Sequence, residues 1–175
     1  MTTFAKDPLL AAARIILYFI LGVIAFAAFF VTLGAAAMLL YNAGLLADIQ
    51  DPDIPRSMGW QVALLLLAVT GVLYLGWRFM KHMLDIVTSV SDGDPFVPAN
   101  ADRLTAMAWL MLAINLLALP IGGFGIYLAK KLGEHTGTAE VSMDFGGLTL
   151  ILTLFILARV FRHGTSMRDD LEGTV

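Results

Sequence analysis

The chain has 175 residues, of which 59% are hydrophobic and only 14% are charged. A water-soluble core of this size would not bury so much apolar surface, so the composition favours an integral membrane protein. The absence of cysteine excludes disulfides, thiolate metal sites and a thiol nucleophile. The modest net charge of −3 gives no indication of direct nucleic-acid binding.

The first predicted element is a membrane span over residues 15–41. Only two ionisable side chains, Tyr18 and Tyr41, fall within this apolar run. As a helix with a rise of about 1.5 Å per residue it would extend roughly 40 Å, enough to cross a hydrocarbon core of about 30 Å. A secretory signal peptide is the alternative, but its apolar region typically has only about 7–15 residues.

An acidic loop, residues 42–58, separates this span from a second one predicted over residues 59–80. Apolar side chains continue at helical spacing beyond the second span, at Met83, Val87 and Val90. We therefore predict that this helix projects out of the membrane until Gly93 and Pro95 end it.

A polar break over residues 91–103, here called the hinge, lies in the middle of the chain. It contains three aspartates and two prolines, and it joins two predicted helical hairpins. Asn100 is expected to cap the N-terminus of the next helix. Asp102 would then lie in the first turn, beside the positive end of the helix dipole.

The third predicted span covers residues 104–128, where Pro120 and the glycines that follow should kink or loosen the helix. A polar loop leads to a fourth span over residues 146–161, and residues 163–175 form a charged tail. The predicted fold is all-α, with four transmembrane helices in a single membrane domain. Small residues in the spans would allow a compact four-helix bundle or a homodimer.

The distribution of lysine and arginine predicts the orientation. Eight of the eleven basic residues flank the spans on the hinge side. The remaining three, on the other side, are Arg56, Lys130 and Lys131. Because cytoplasmic flanks accumulate basic residues, we expect the hinge and both termini in the cytoplasm, and the spans in a bacterial inner membrane.

Two basic segments at the hinge-side ends of the second and fourth spans echo each other. Residues 78–82 and 159–163 both read arginine, two apolar residues, a base and a histidine. A duplicated helical hairpin would explain the echo, and so would the general accumulation of bases at cytoplasmic flanks. Both interpretations stay open from the sequence.

No pattern of residues predicts catalysis. The three histidines lack the spacing of a metal site. The pairs Asp92 with Asp94 and Asp169 with Asp170 have no nucleophile or apolar pocket nearby that would adapt them to acid–base chemistry. We therefore predict that the protein is not an enzyme and that it holds no metal and no cofactor.

Asn115 is the polar residue that stands out within a predicted span. An amide at mid-depth is costly unless it bonds to another helix, so we expect it to join two helices. A role as a pore or substrate ligand is the alternative. No Asp, Glu, Lys or Arg occupies the middle of any predicted span, which disfavours a proton- or ion-coupled pump.

Two stretches of the sequence resemble a known family. The first is residues 93–104 followed by Ala108 and Trp109, and the second is residues 157–164 with 167–170. In these residues the chain resembles the bacterial four-span membrane family called domain of unknown function 2975. Members of that family are often encoded beside a small helix-turn-helix regulator, so the resemblance implies a membrane anchor or antagonist for a transcription factor.

The predicted function is that of a non-enzymatic inner-membrane protein whose cytosolic face binds and restrains such a regulator. The residues predicted to contact the partner come from the hinge and from the last helix: Asp92, Gly93, Asp94, Pro95, Phe96, Arg103, Arg159, Phe161, Arg162 and Asp170. A small channel or permease that uses Asn115 and the Pro120–Gly125 break is the second hypothesis. An enzyme at the inner membrane boundary is the third, with a site formed from Asp92, Asp94, Arg103, Arg159 and His163.

Overall fold

The computed structural model describes residues 8–45, 56–131, 133 and 145–172. These residues form four α-helices and no strand: α1 Pro8–Asn42, α2 Arg56–Ser91, α3 Pro98–Lys131 and α4 Phe145–Glu172. All four helices are long and apolar enough to cross a membrane, which confirms the predicted all-α class. Most of the two polar loops, with His135, and the end of the tail lie outside the described residues.

Each helix is longer than the predicted span that it contains. As predicted, α2 continues well beyond the second span, to Ser91. α3 begins at Pro98, so the non-helical part of the hinge is shorter than predicted and comprises residues 92–97. Proline is favoured at the first helical position because an N–H group there would have no acceptor within the helix, so no hydrogen bond is lost.

Pro120 lies inside α3, and the helix continues through it to Lys131. Proline at this position removes the hydrogen bond to the carbonyl of Leu116. Transmembrane helices tolerate such a loss where neighbouring groups satisfy the freed carbonyl. The proline therefore does not end the third helix.

Each helix packs mainly against its neighbours in the chain, α1 on α2, α2 on α3 and α3 on α4. Non-consecutive helices hardly approach one another among the described residues. The four helices therefore follow one another in a row, and α1 does not pack on α4 to close a compact bundle. In a lipid solvent this arrangement carries no hydrophobic penalty, because lipid tails are as apolar as the side chains that face them. α1 accordingly buries only Leu17 and Ala35.

The main cluster of buried apolar residues lies near the hinge. It joins three helices and consists of Phe79, Leu104, Met107, Ala108, Leu154 and Ala158. The cluster therefore packs the hinge-side parts of α2, α3 and α4 together.

Candidate functional site

The hinge begins with a helix-ending motif at Gly93. The N–H of Asp94 donates to the carbonyl of Ser89 at 3.1 Å, and the N–H of Gly93 donates to that of Val90 at 3.1 Å. These two bonds form a Schellman motif, which requires a left-handed residue at its centre. Gly93 supplies it with a φ of 88°, and the prediction that Gly93 and Pro95 end the helix is confirmed.

Asn100 joins the two ends of the hinge. Its side chain is fully buried, and its amide donates to Ser89 Oγ at 2.6 Å and to the Pro95 carbonyl at 2.9 Å. Its Oδ1 accepts a hydrogen bond of 2.8 Å from Arg103. The prediction of a helix cap is wrong, because α3 already begins at Pro98 and Asn100 is its third residue; Asp102 likewise falls outside the first turn.

Arg103, predicted as a partner-binding residue, is occupied by this internal network. Besides Asn100 Oδ1 it donates to the backbone carbonyl of Asp85, at 3.4 Å. Its guanidinium therefore braces α3 against the end of α2. We assign it a positioning role within the hinge.

Each aspartate of the hinge pairs with an arginine from another part of the chain. Arg14 of α1 lies 3.8 Å from Asp92, and Arg162 of α4 lies 3.2 Å from Asp102. Asp94 pairs with Arg168, also from α4. The start of α1 and the end of α4 therefore meet the hinge at one end of the molecule. We call this end the hinge-side face and define it as Arg14, residues 91–103 and residues 159–168.

The predictions missed Arg14 and Arg168 as members of this face. Both belong to the eight basic residues on the hinge side of the spans. This charge bias is the only feature of the sequence that indicates their position. The pairing itself joins residues 74 positions apart in the case of Asp94 and Arg168. No local pattern reports a contact over such a separation.

An aromatic contact fastens the hinge to α4. The rings of Phe96 and Phe161, both predicted as partner-binding residues, lie with centroids 5.4 Å apart. Gly164 makes room for Phe96, since a Cβ atom there would lie 3.0 Å from its Cδ1. Phe96 still leaves 43% of its surface exposed. The structure thus brings the hinge and the last helix together. This proximity is a precondition for residues of both segments to contact one partner.

Arg159 lines a groove between α3 and α4. The groove has a volume of about 370 Å³, and Thr105, Phe155 and Arg162 are among the other residues that line it. Among the described residues Arg159 has no ion pair, whereas Arg162 pairs with Asp102. Arg159 therefore adds a positive charge without an ion-pair partner among the described residues to the hinge-side face. The side chain of Asp170 lies outside the described part of the chain.

Asn115 lies where α3 and α4 approach closely. Its amide donates to the Met111 carbonyl of its own helix at 3.1 Å. A Cβ atom at Gly147 of α4 would lie 2.6 Å from Asn115 Nδ2. The side chain is thus packed against the α4 backbone, a position that fits helix–helix contact better than a pore lining.

The described side chains include no cluster arranged for metal binding. No group of three His, Cys, Asp or Glu residues there could hold a metal ion. Three of the residues proposed for a boundary enzyme have separate neighbours: Asp92 faces Arg14, Asp94 faces Arg168, and Arg103 faces Asn100.

Comparison with known protein families identifies the family of this chain. The model of a family described as "Protein of unknown function (DUF2975)" matches residues 45–175. This range includes the hinge and the helices α2, α3 and α4. No curated protein and no solved structure matches the chain.

Proposed function

Because the chain belongs to the DUF2975 family of proteins of unknown function, we propose that it is a multi-pass inner-membrane protein whose hinge-side face binds and restrains a small helix-turn-helix regulator. In this proposal the hinge and both termini lie in the cytoplasm. The gene neighbourhood that the family resemblance implies supports the class of partner. The excess of basic residues on the hinge side supports the orientation.

One observation carries the choice of surface: the hinge and the end of α4 form a single face. Phe96 contacts Phe161, Asp94 pairs with Arg168, and Asp102 pairs with Arg162. Helical ends joined in this way present one rigid surface that a partner can recognise without first ordering it.

The chemistry of the face suits a protein partner. Phe96 is 43% exposed and Met167 is 55% exposed, beside charged side chains. Aromatic residues, methionine and arginine are enriched at protein–protein interfaces, and a few such residues usually carry most of the binding energy. A partner held against this face would lie next to the membrane, where its access to DNA is restricted.

The test is an affinity purification of the tagged, full-length protein in mild detergent. The host must carry the genes that neighbour the gene of this protein. We expect a helix-turn-helix protein to co-purify in stoichiometric amount. Phe96→Ala should reduce its retention about tenfold or more, because truncating a central aromatic anchor typically costs about 2 kcal/mol. Arg162→Gln should reduce it as well.

The matched control is Trp109→Ala, which removes an exposed aromatic side chain from α3 outside the hinge-side face. Its retention of the regulator should equal that of the unaltered protein, and membrane insertion should be unchanged in all three variants. Co-purification of no DNA-binding protein would contradict the proposed function. Equal retention by Phe96→Ala and Trp109→Ala would contradict the proposed surface.

A further inference from the structure

A second feature, separate from the hinge-side face, is an apolar groove between α1 and α2. Its volume is about 340 Å³. Ile24, Ala25 and Ala28 of α1 form one wall, and Leu73, Tyr74 and Trp77 are on the other. Thr70 also lines it, but its hydroxyl donates to the carbonyl of Leu66 at 3.0 Å. The groove therefore has the chemistry and the volume to take part of a hydrocarbon chain.

A charged groove follows directly along α2. Its volume is about 290 Å³, and its lining includes Arg78, Lys81 and Asp85. Neither cation forms an ion pair with a carboxylate among the described residues. Two cations against one carboxylate leave this groove with an excess positive charge, which suits an anionic group.

The two grooves adjoin each other, since Tyr74 and Trp77 line both. The two rings stack with centroids 6.5 Å apart, and the Lys81 ammonium lies 5.3 Å from the centre of the Trp77 ring. An indole at the boundary between apolar and charged surroundings is the usual arrangement at a membrane interface. Trp77 therefore marks the level at which the headgroup region begins.

The dimensions also agree with one leaflet. From Thr70 to Asp85 the wall along α2 changes from apolar to charged over roughly 22 Å, at about 1.5 Å per residue. One leaflet supplies about 15 Å of hydrocarbon and a headgroup layer of several ångströms. A phospholipid with its head toward the hinge would meet these surfaces in the right order, its acyl chain against the apolar groove and its headgroup against the charged one.

We propose that the composite groove binds one anionic phospholipid from the leaflet on the hinge side. Its phosphate lies between Arg78 and Lys81, and one acyl chain lies against Ala28 and Leu73. The sequence echo of this segment on α4 has a different environment, since Arg162 is paired with Asp102 there. This inference does not depend on the proposed regulatory partner.

The test uses the full-length protein in nanodiscs that contain phosphatidylcholine with a minor fraction of phosphatidylglycerol. Lipid retention is measured by native mass spectrometry after release into detergent. We expect one phosphatidylglycerol molecule per chain to be retained in preference to phosphatidylcholine. Retention of the two lipids in the same proportion as in the nanodisc would overturn the proposal, and this result requires no variant to fold.

The charge variant is Arg78→Gln with Lys81→Gln. Its affinity for phosphatidylglycerol should fall roughly 10- to 30-fold, because each basic residue near a membrane surface contributes about a fivefold attraction to anionic lipid. The matched control is Lys130→Gln with Lys131→Gln. It removes the same amount of charge at the end of α3 that lies far from the hinge. There too a lysine lies over an aromatic ring, Lys131 at 5.9 Å from Tyr127.

We expect that control to change the affinity by less than about twofold, because retention in detergent requires the apolar groove beside the cations and not charge alone. The nanodisc carries the same lipids in both leaflets, so both pairs of cations meet phosphatidylglycerol. Equal losses in the two double variants would indicate general electrostatic attraction and would overturn the specific site. The acyl-chain half of the site is tested by Ala28→Phe, which fills the apolar groove without a change of charge. Undiminished retention in that variant would refute the acyl-chain position.

Discussion

At the residue scale, the two asparagines of α3, Asn100 and Asn115, have different roles. Asn100 is fully buried and joins Ser89, Pro95 and Arg103. An unsatisfied buried donor costs about 1–3 kcal/mol, so this network constrains the hinge strongly. Asn115 instead bonds within α3 and lies against the backbone of α4. Its contribution comes from contact between helices.

The contact at Asn115 leads to a prediction about coupling. Gly147→Ala should lower the free energy of unfolding by about 1–3 kcal/mol, because the new methyl group overlaps the Asn115 amide. Adding Asn115→Ala should restore most of that loss. Thermal unfolding of the four proteins in mild detergent measures the coupling energy as a double-mutant cycle.

Gly123→Ala is the control for that cycle, since nothing lies within 4 Å of a Cβ atom added there. It should leave stability unchanged or raise it slightly. If the costs of Gly147→Ala and Asn115→Ala simply add, the two residues do not press on each other and the assigned contact is incorrect.

At the scale of elements, the hinge is held by its internal bonds and packing more than by its ion pairs. The three ion pairs lie at the surface, with aspartate side chains 43–76% exposed. Exposed pairs contribute about 0–1 kcal/mol each. The Schellman motif at Gly93, the buried Asn100 and the contact of Phe96 with Gly164 are therefore the features that set the course of the chain.

Gly93→Ala tests the motif. The substitution places a Cβ atom on a residue with a φ of 88°, which should destabilise the protein by about 1–2 kcal/mol. Gly76→Ala is the matched control, because it lies within α2 and its added Cβ has no neighbour within 4 Å. That change should be neutral or stabilising by up to about 1 kcal/mol, since alanine is the better helix former.

Thermal unfolding in detergent measures both glycine variants side by side. A Gly93→Ala protein as stable as Gly76→Ala would mean that the left-handed turn at the end of α2 is not required.

At the scale of the whole molecule, the serial packing leaves large apolar side chains on the outside. Phe19 is 71% exposed and Leu152 is 61% exposed. A soluble protein would not present such a surface, whereas lipid covers it at no cost. The same property explains why helix existence was predictable here: a membrane helix needs about 20 consecutive apolar residues, and this requirement is local.

The predicted orientation can be tested in this naturally cysteine-free chain. Ala99→Cys places a thiol on an exposed position of the hinge side, and Asn42→Cys places one at the exposed far end of α1. With a membrane-impermeant maleimide applied to intact cells, we expect Asn42→Cys to react. Ala99→Cys should react only after the membrane is opened. The reverse pattern would place the hinge outside and would remove the basis for a cytosolic partner.

The contacts of the hinge-side face were only partly predictable from the sequence. The helix breakers at Gly93 and Pro95 identified the hinge, and the structure brings Phe96 and Phe161, both chosen as candidates, into contact. Asn100 was misjudged because the first residue of α3, Pro98, lies earlier than expected. The bonds of Arg103 to Asn100 and Asp85 were not predictable, because a sequence does not show which way a guanidinium turns.

The sequence by itself determined the all-α class, the four apolar helices and the position of the break between them. These features follow from the length of apolar runs and from local turn chemistry, which depend on neighbouring residues alone. Only the tertiary structure decided that Asp102 meets Arg162, 60 positions away, and that Tyr74 and Trp77 connect two grooves. Such contacts depend on how separate helices are aligned, and this alignment arises from packing of the whole chain.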